Sequence, residues 1–101
     1  MNIIIYKVAT EDCYRCGFEP AFKLTEPKHI SREWITRAEY ALPADFELAE
    51  TVCGDPAIYR KDNGEHCALV SDRYFGHGGE NPVLIVDGER VKLSKIRDLP
   101  W

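Results

Sequence analysis

Long apolar runs are missing from this sequence. The stretch from Asn2 to Val8 holds three consecutive isoleucines before Tyr6 and Lys7, far short of the roughly 18 apolar residues that a membrane-spanning helix needs. No basic segment precedes it, as one would in a secretory signal. A cytoplasmic protein with no membrane partner is therefore expected, in a compartment where thiols stay reduced and disulfides are not the default. Positive charge is also scarce: 13 Lys and Arg stand against 17 Asp and Glu, a formal net charge of -4. A generic polyanion binder carries a basic surplus on at least one face, so nucleic acid is disfavoured as a direct partner. Between Glu39 and Tyr59 lysine and arginine are absent altogether.

Other absences narrow the chemistry. No Ser/His/Asp constellation can be assembled by spacing, and carboxylates are too common to single out a general acid and base. The glycines around His77 are followed by Pro82 and a strand pattern, whereas a phosphate cradle wants a helix directly after them. No catalytic residue is assigned.

What is present is an ordinary globular composition, 45% hydrophobic and 30% charged over 101 residues, enough for a single domain over 1–101 that buries roughly 60 to 65% of the surface of its unfolded chain. Asn2 to Val8 reads as a central strand with both faces apolar. Prolines 20 and 27 forbid a long helix between them, and Ala21 to Leu24 forms a turn or short strand. Ser31 offers an N-cap for a short helix near residues 31–36, followed by a strand that Pro43 ends. In "DFELAETV" Phe46 and Leu48 alternate with Asp45 and Glu47, the pattern of a half-buried strand.

Two hairpins occupy the C-terminal half. In "AIYRKDNGEHCALV" a two-residue Asn-Gly turn would oppose Asp62 to Glu65. A four-residue loop instead pairs Arg60 with Glu65 and Ile58 with Cys67, and is preferred because like charges directly opposite destabilise a ladder. "PVLIVDGERVKL" turns at Asp87-Gly88 and sets Leu84 opposite Val91, with Arg90 and Lys92 marking an edge strand. The expected fold is α+β: a mainly antiparallel sheet of about five to six strands with one short helix.

The thiols carry the sharpest chemical signal. In "DCYRCGFEP" a Cys-x-x-Cys pair followed by glycine matches half of a structural zinc site. Cys13 and Cys16 are candidate ligands, with Cys53, ahead of Gly54 in a loop, and His77 (or His66) to complete a tetrahedron. Cys67 falls on the apolar face of its hairpin, where a free cysteine is a small hydrophobe. The same residues resemble the glutaredoxin and thioredoxin family, in which a strand leads into Cys-x-x-Cys, and "NPVLIVDGERVKLSKIRDL" resembles that family's later half. The resemblance implies a thiol oxidoreductase with Cys13 as nucleophile, Cys16 as resolving thiol, Pro82 as a cis-proline and a final helix. Gly17 and Pro20, however, interrupt the helix that would lower the Cys13 pKa.

The acidic stretch supplies the other candidate surface. Asp45 and Glu47 in a row, extended by Glu39 and Glu50, present spaced carboxylates to a basic surface on another protein, and such complementarity speeds association. The loop with Tyr74, Phe75 and His77 is a second candidate contact. The function read from the sequence is a small non-catalytic binding or regulatory protein, of the kind a phage-type inhibitor exemplifies, stapled by zinc. A thiol oxidoreductase is the alternative, and a zinc-knuckle nucleic-acid binder stands third.

Overall fold

Alternation in the first strand fixes which side of its sheet becomes the core. In β1 (Asn2–Val8) Ile3 and Ile5 are buried while Ile4 between them is 42% exposed, as the two-residue period of a strand requires. β1 pairs antiparallel with β3 (Ile35–Ala41), placing Ile5 beside Ala38 and Ile3 beside Tyr40. The computed structural model describes residues 1–9, 20–75 and 81–101. Among these the chain adds β2 (Ala21–Lys23), β4 (Phe46–Glu50), β5 (Pro56–Arg60), β6 (His66–Ser71), β7 (Pro82–Val86), β8 (Glu89–Lys92) and β9 (Ser94–Leu99). One sheet runs β2-β1-β3-β9 and the other β4-β5-β6-β7-β8, with every pairing antiparallel.

The two sheets share one core. Ile3, Ile5, Phe22 and Tyr40 from the first meet Phe46, Ile58, Leu84 and Val86 from the second. Leu42 and Leu93, at the two places where the chain passes between the sheets, belong to the same cluster. β2 completes the closure by lying against β6.

This architecture corrects the α+β expectation. No α-helix occurs among the described residues, and the helix placed near 31–36 is a single 3-10 turn, Arg32–Trp34, whose cap Ser31 makes no side-chain hydrogen bond. Trp34, Ala38 and Leu42 fit a helical spacing as well as a strand, and the local pattern could not decide. The decision comes from β1, which needs β3 as its ladder partner some thirty residues away. Nine strands among the described residues replace the five to six expected. β9 stands where the thioredoxin resemblance implies a final helix, and Asn81-Pro82 is trans where it implies cis. Leu42 to Val70 carries strands without an intervening helix. β1 is interior to its sheet as expected, but only one of its faces enters the core.

Both hairpin registers hold. Ile58 pairs with Cys67, and the Arg60 amide donates to the Glu65 carbonyl at 2.9 Å across a four-residue loop. Leu84 pairs with Val91. The Asp87-Gly88 turn takes φ of 51° and 73°, the left-handed pair that a two-residue hairpin demands and that Asp-Gly suits.

The outer face of the first sheet has its own closure. Val8 and Ile35 are opposite one another and buried, yet outside the core cluster, since they lie an odd number of residues from Ile5 and Ala38. Trp101 anchors on that face: its indole N–H donates to the Ile35 carbonyl at 3.0 Å, and the Arg32 and Arg37 guanidinium groups stand 4.4 and 4.5 Å from its ring centre. Arg37 also donates to the Pro100 carbonyl at 2.7 Å, and the Tyr6 ring lies 6.1 Å from the indole. These contacts hold β9 onto β3.

Leu84 is wholly buried where the two sheets meet. Leu84→Ala is expected to lose about 2–5 kcal/mol of unfolding free energy, the transfer term plus the cavity left behind, measured as a shift in urea midpoint with unchanged slope.

Candidate functional site

The acidic stretch becomes an edge. After β3 the chain turns through Pro43 and Asp45, with the Phe46 amide donating to the Pro43 carbonyl (3.0 Å) and the Lys61 amide to the Asp45 carbonyl (2.8 Å). β4 follows as the outermost strand, paired among the described residues only with β5. From Glu47 to Glu50 all four residues are exposed. Phe46 is buried as expected, but Leu48 is 37% exposed because the strand runs out past the core.

The structure divides the carboxylates that the sequence suggested as one row. Glu39 lies on β3 in the other sheet and accepts an ion pair from Arg97 at 3.1 Å. Glu47 and Glu50, three residues apart on a strand, face opposite sides. Asp45, Glu47 and Glu50 make no ion pair among the described residues. The hairpin tip beyond β4 is held by Thr51, whose hydroxyl accepts the Cys53 and Asp55 amides at 3.3 Å each, and Gly54 there takes φ of 85°. This tip displays Val52, fully exposed, beside exposed Cys53.

A polar cluster that the sequence did not reveal lies where the β5-β6 and β7-β8 hairpins stand side by side. Arg60 donates to Glu89 at 2.8 Å, lies 3.7 Å from Asp87, and stands 5.8 Å from the Phe46 ring centre. The Glu65 carboxyl shares a hydrogen bond with Asp87, which pushes its pKa above the usual glutamate range. A glutamate and an aspartate on two separate hairpins give no sequence signal for such a pair, because only the strand order brings them together. The Gly-rich loop also has an unforeseen base. Buried Asp72 accepts from the Asn81 side-chain amide at 3.0 Å and donates its own amide to the Asn81 carbonyl at 2.9 Å, tying the end of β6 to the start of β7.

A cleft opens between β5 and β6. Their ladder stops at Ile58-Cys67 although both strands continue, and Pro56, at the start of β5, has no N–H with which to extend it. The resulting space, about 420 Å³, is lined by Phe22, Leu24, Pro56, Cys67 and Leu69 with Lys23, Asp55 and His66 at its polar parts.

Of the zinc candidates Cys53 and His66, the alternative to His77, fall among the described residues. Cys13, Cys16 and His77 lie outside them, as do the side chains of Tyr74 and Phe75, whose backbone forms the 3-10 turn Asp72–Phe75. No group of three or more His, Cys, Asp or Glu suited to a metal occurs among the described residues. No helix there is long and apolar enough to cross a membrane. Cys67 is buried opposite Ile58, and burial, ahead of its charged neighbours, pushes its thiol pKa up.

The chain matches no family model, and comparison with curated proteins and with solved structures returns no similar protein.

Two measurements probe these groups. In the native protein Cys53 is expected to be alkylated well before Cys67, since the thiolate is the reactive form and Cys67 is both less ionised and covered; equal rates would mean that the Ile58-Cys67 register is wrong. For the carboxyl pair, the folded chain holds the Glu65 proton more tightly than the unfolded chain does. Its contribution to stability is therefore present at low pH and declines as pH rises above the usual glutamate value. Asp87→Asn, which tolerates the left-handed backbone, is expected to reduce that decline in urea titrations between roughly pH 4 and 7.

Proposed function

We propose that the protein is a small non-catalytic binding module that engages another protein along the acidic edge of its second sheet. The observation that supports this most is β4 itself: an outermost strand, exposed from Glu47 to Glu50, with Leu48 and Val52 beside carboxylates that no cation within the described residues neutralises. Edge strands are usually blunted by proline, lysine or a bulge. β4 contains no proline or lysine, and its register with β5 is continuous. An open edge of this kind receives a strand from a partner, with main-chain hydrogen bonds supplying affinity and alternate side chains supplying specificity. Glu47 and Glu50 select a partner surface that is basic, and Asp45 extends the negative field toward the turn.

Within this proposal the Cys13-Cys16 pair has a structural role, holding zinc, and not a redox one. The strand at 94–99 and the trans Pro82 depart from the oxidoreductase architecture that would favour catalysis.

The test is a charge reversal. Converting Asp45, Glu47 and Glu50 to lysine is expected to change stability by only about 0.5 kcal/mol each. The association rate with a partner recovered from the native host is expected to fall about tenfold or more, and the wild-type rate to fall as salt shortens the screening length to about 8 Å at 0.15 M. A recovered partner that binds the triple variant at the wild-type rate, without salt dependence, refutes the reading.

A further inference from the structure

The second sheet has two outer edges, and they are complementary. Because each of its neighbouring strands is antiparallel, the first and fifth, β4 and β8, run parallel to one another. Their faces can then be matched by counting. Ile58 and Leu84 are core residues; Leu48 pairs with Ile58 and Val91 with Leu84, so Leu48 and Val91 point to the core side. Glu47 on β4 and Arg90 and Lys92 on β8 therefore point to the opposite, outer side. All three charged side chains are exposed. Neither Glu47 nor Lys92 has an ion pair among the described residues.

We propose that β4 of one copy pairs, in parallel, with β8 of a second copy, continuing the five-stranded sheet from molecule to molecule. This inference rests on the reading of β4 as a partner edge and names its occupant. Setting Leu48 beside Val91 places Glu47 next to Arg90, with Lys92 two residues further along the same face. The same register thus joins an apolar pair on the inner side to opposite charges on the outer side. A one-residue slip would send every side chain to the wrong face. Pairing β4 with another β4 would set carboxylate against carboxylate, and β8 with β8 would set cation against cation, so charge selects the head-to-tail contact. Such a contact is heterologous and does not close on two copies. It yields a ladder of copies whose length follows concentration.

The edges of the first sheet are managed differently. β2 lies against β6. β9 carries a register shift opposite Glu39-Tyr40, and its charges are satisfied within the sheet by Lys95-Asp98 at 3.0 Å and Arg97-Glu39 at 3.1 Å. On the second sheet Glu47 and Lys92 lie on opposite edges, and neither has an ion pair among the described residues.

Sedimentation velocity of the full chain at low salt, from micromolar to millimolar, is the test. The weight-average mass is expected to rise continuously with concentration, without a plateau at the dimer, and to return toward the monomer in high salt. Glu47→Lys alone and the double variant Arg90→Glu/Lys92→Glu alone are each expected to remain monomeric. An equimolar mixture of the two is expected to regain assembly, because the lysine edge of one variant meets the glutamate edge of the other in alternation. Misfolding of either variant could not produce that rescue. A wild-type protein that stays monomeric throughout, or assembly that ignores both substitutions and salt, overturns the proposal. If the protein is monomeric yet Glu47→Lys still slows association with a partner recovered from the host, this inference fails while the proposed function stands.

Discussion

The constraint on which the rest of the structure depends is that nine short strands must bury their apolar sides in one place. The alternation that turns Ile3 and Ile5 inward from one sheet, and Ile58, Leu84 and Val86 inward from the other, allows a chain of this length to supply a core at all. A domain of about this size buries less of its surface than larger ones do and has little stability to spare. Neither sheet could hide its apolar face alone. β2 and the crossings at Leu42 and Leu93 follow from that need, because each carries the chain or a buried side chain between the sheets.

Two open sheets have four edges, and the chain treats them unequally. Trp101 spends its indole on holding the edge strand β9: the hydrogen bond to Ile35 satisfies the ring nitrogen while two guanidinium groups lie against its π surface. A cation over an aromatic face contributes about 0.5–1 kcal/mol where exposed and more where water is excluded. β4 and β8 receive no such cover from the described residues. They carry charge instead, and charge of a single sign repels copies of itself while inviting its opposite. The feature that keeps β4 from pairing with its own kind is thus the feature that makes it selective.

What could be read from the sequence divides along local and non-local lines. The hairpin registers were legible because a turn residue, a charge pair and two apolar neighbours fall within a dozen positions: Arg60 against Glu65, and Leu84 against Val91. β1 was legible from its isoleucines. The strand at 35–41 is not legible locally, because Trp34, Ala38 and Leu42 are compatible with both periods and only the ladder to β1 distinguishes them. β9 was hidden for a different reason. "SKIRDL" has five exposed residues of six, so no apolar alternation announces it; its strand conformation comes from pairing with β3 and from the anchor at Trp101. Composition marks the acidic surface but not its division. The turn at Pro43 puts Glu39 in the other sheet, and strand parity separates Glu47 from Glu50.

The Arg60 cluster shows how the same topology controls electrostatics away from the acidic edge. A guanidinium at the end of β5 faces the turn of the neighbouring hairpin, where Asp87 and Glu89 approach it, while Glu65 from its own hairpin reaches the same aspartate. Each carboxylate alone would be a solvated surface charge of little energetic consequence. Gathered around one cation, they exceed it in number, and Glu65 resolves the imbalance by retaining its proton more readily. The negative potential left at this end of the sheet adds to that of β4, whose Phe46 lies under the same arginine. β8 bears Glu89 toward this cluster, beside Asp87 of the preceding turn, and Arg90 and Lys92 on its other face, so strand parity separates its two charges as it separates Glu47 from Glu50. A partner approaching the second sheet meets acid or base according to which edge and which face it addresses, and parity fixes that choice before any contact forms.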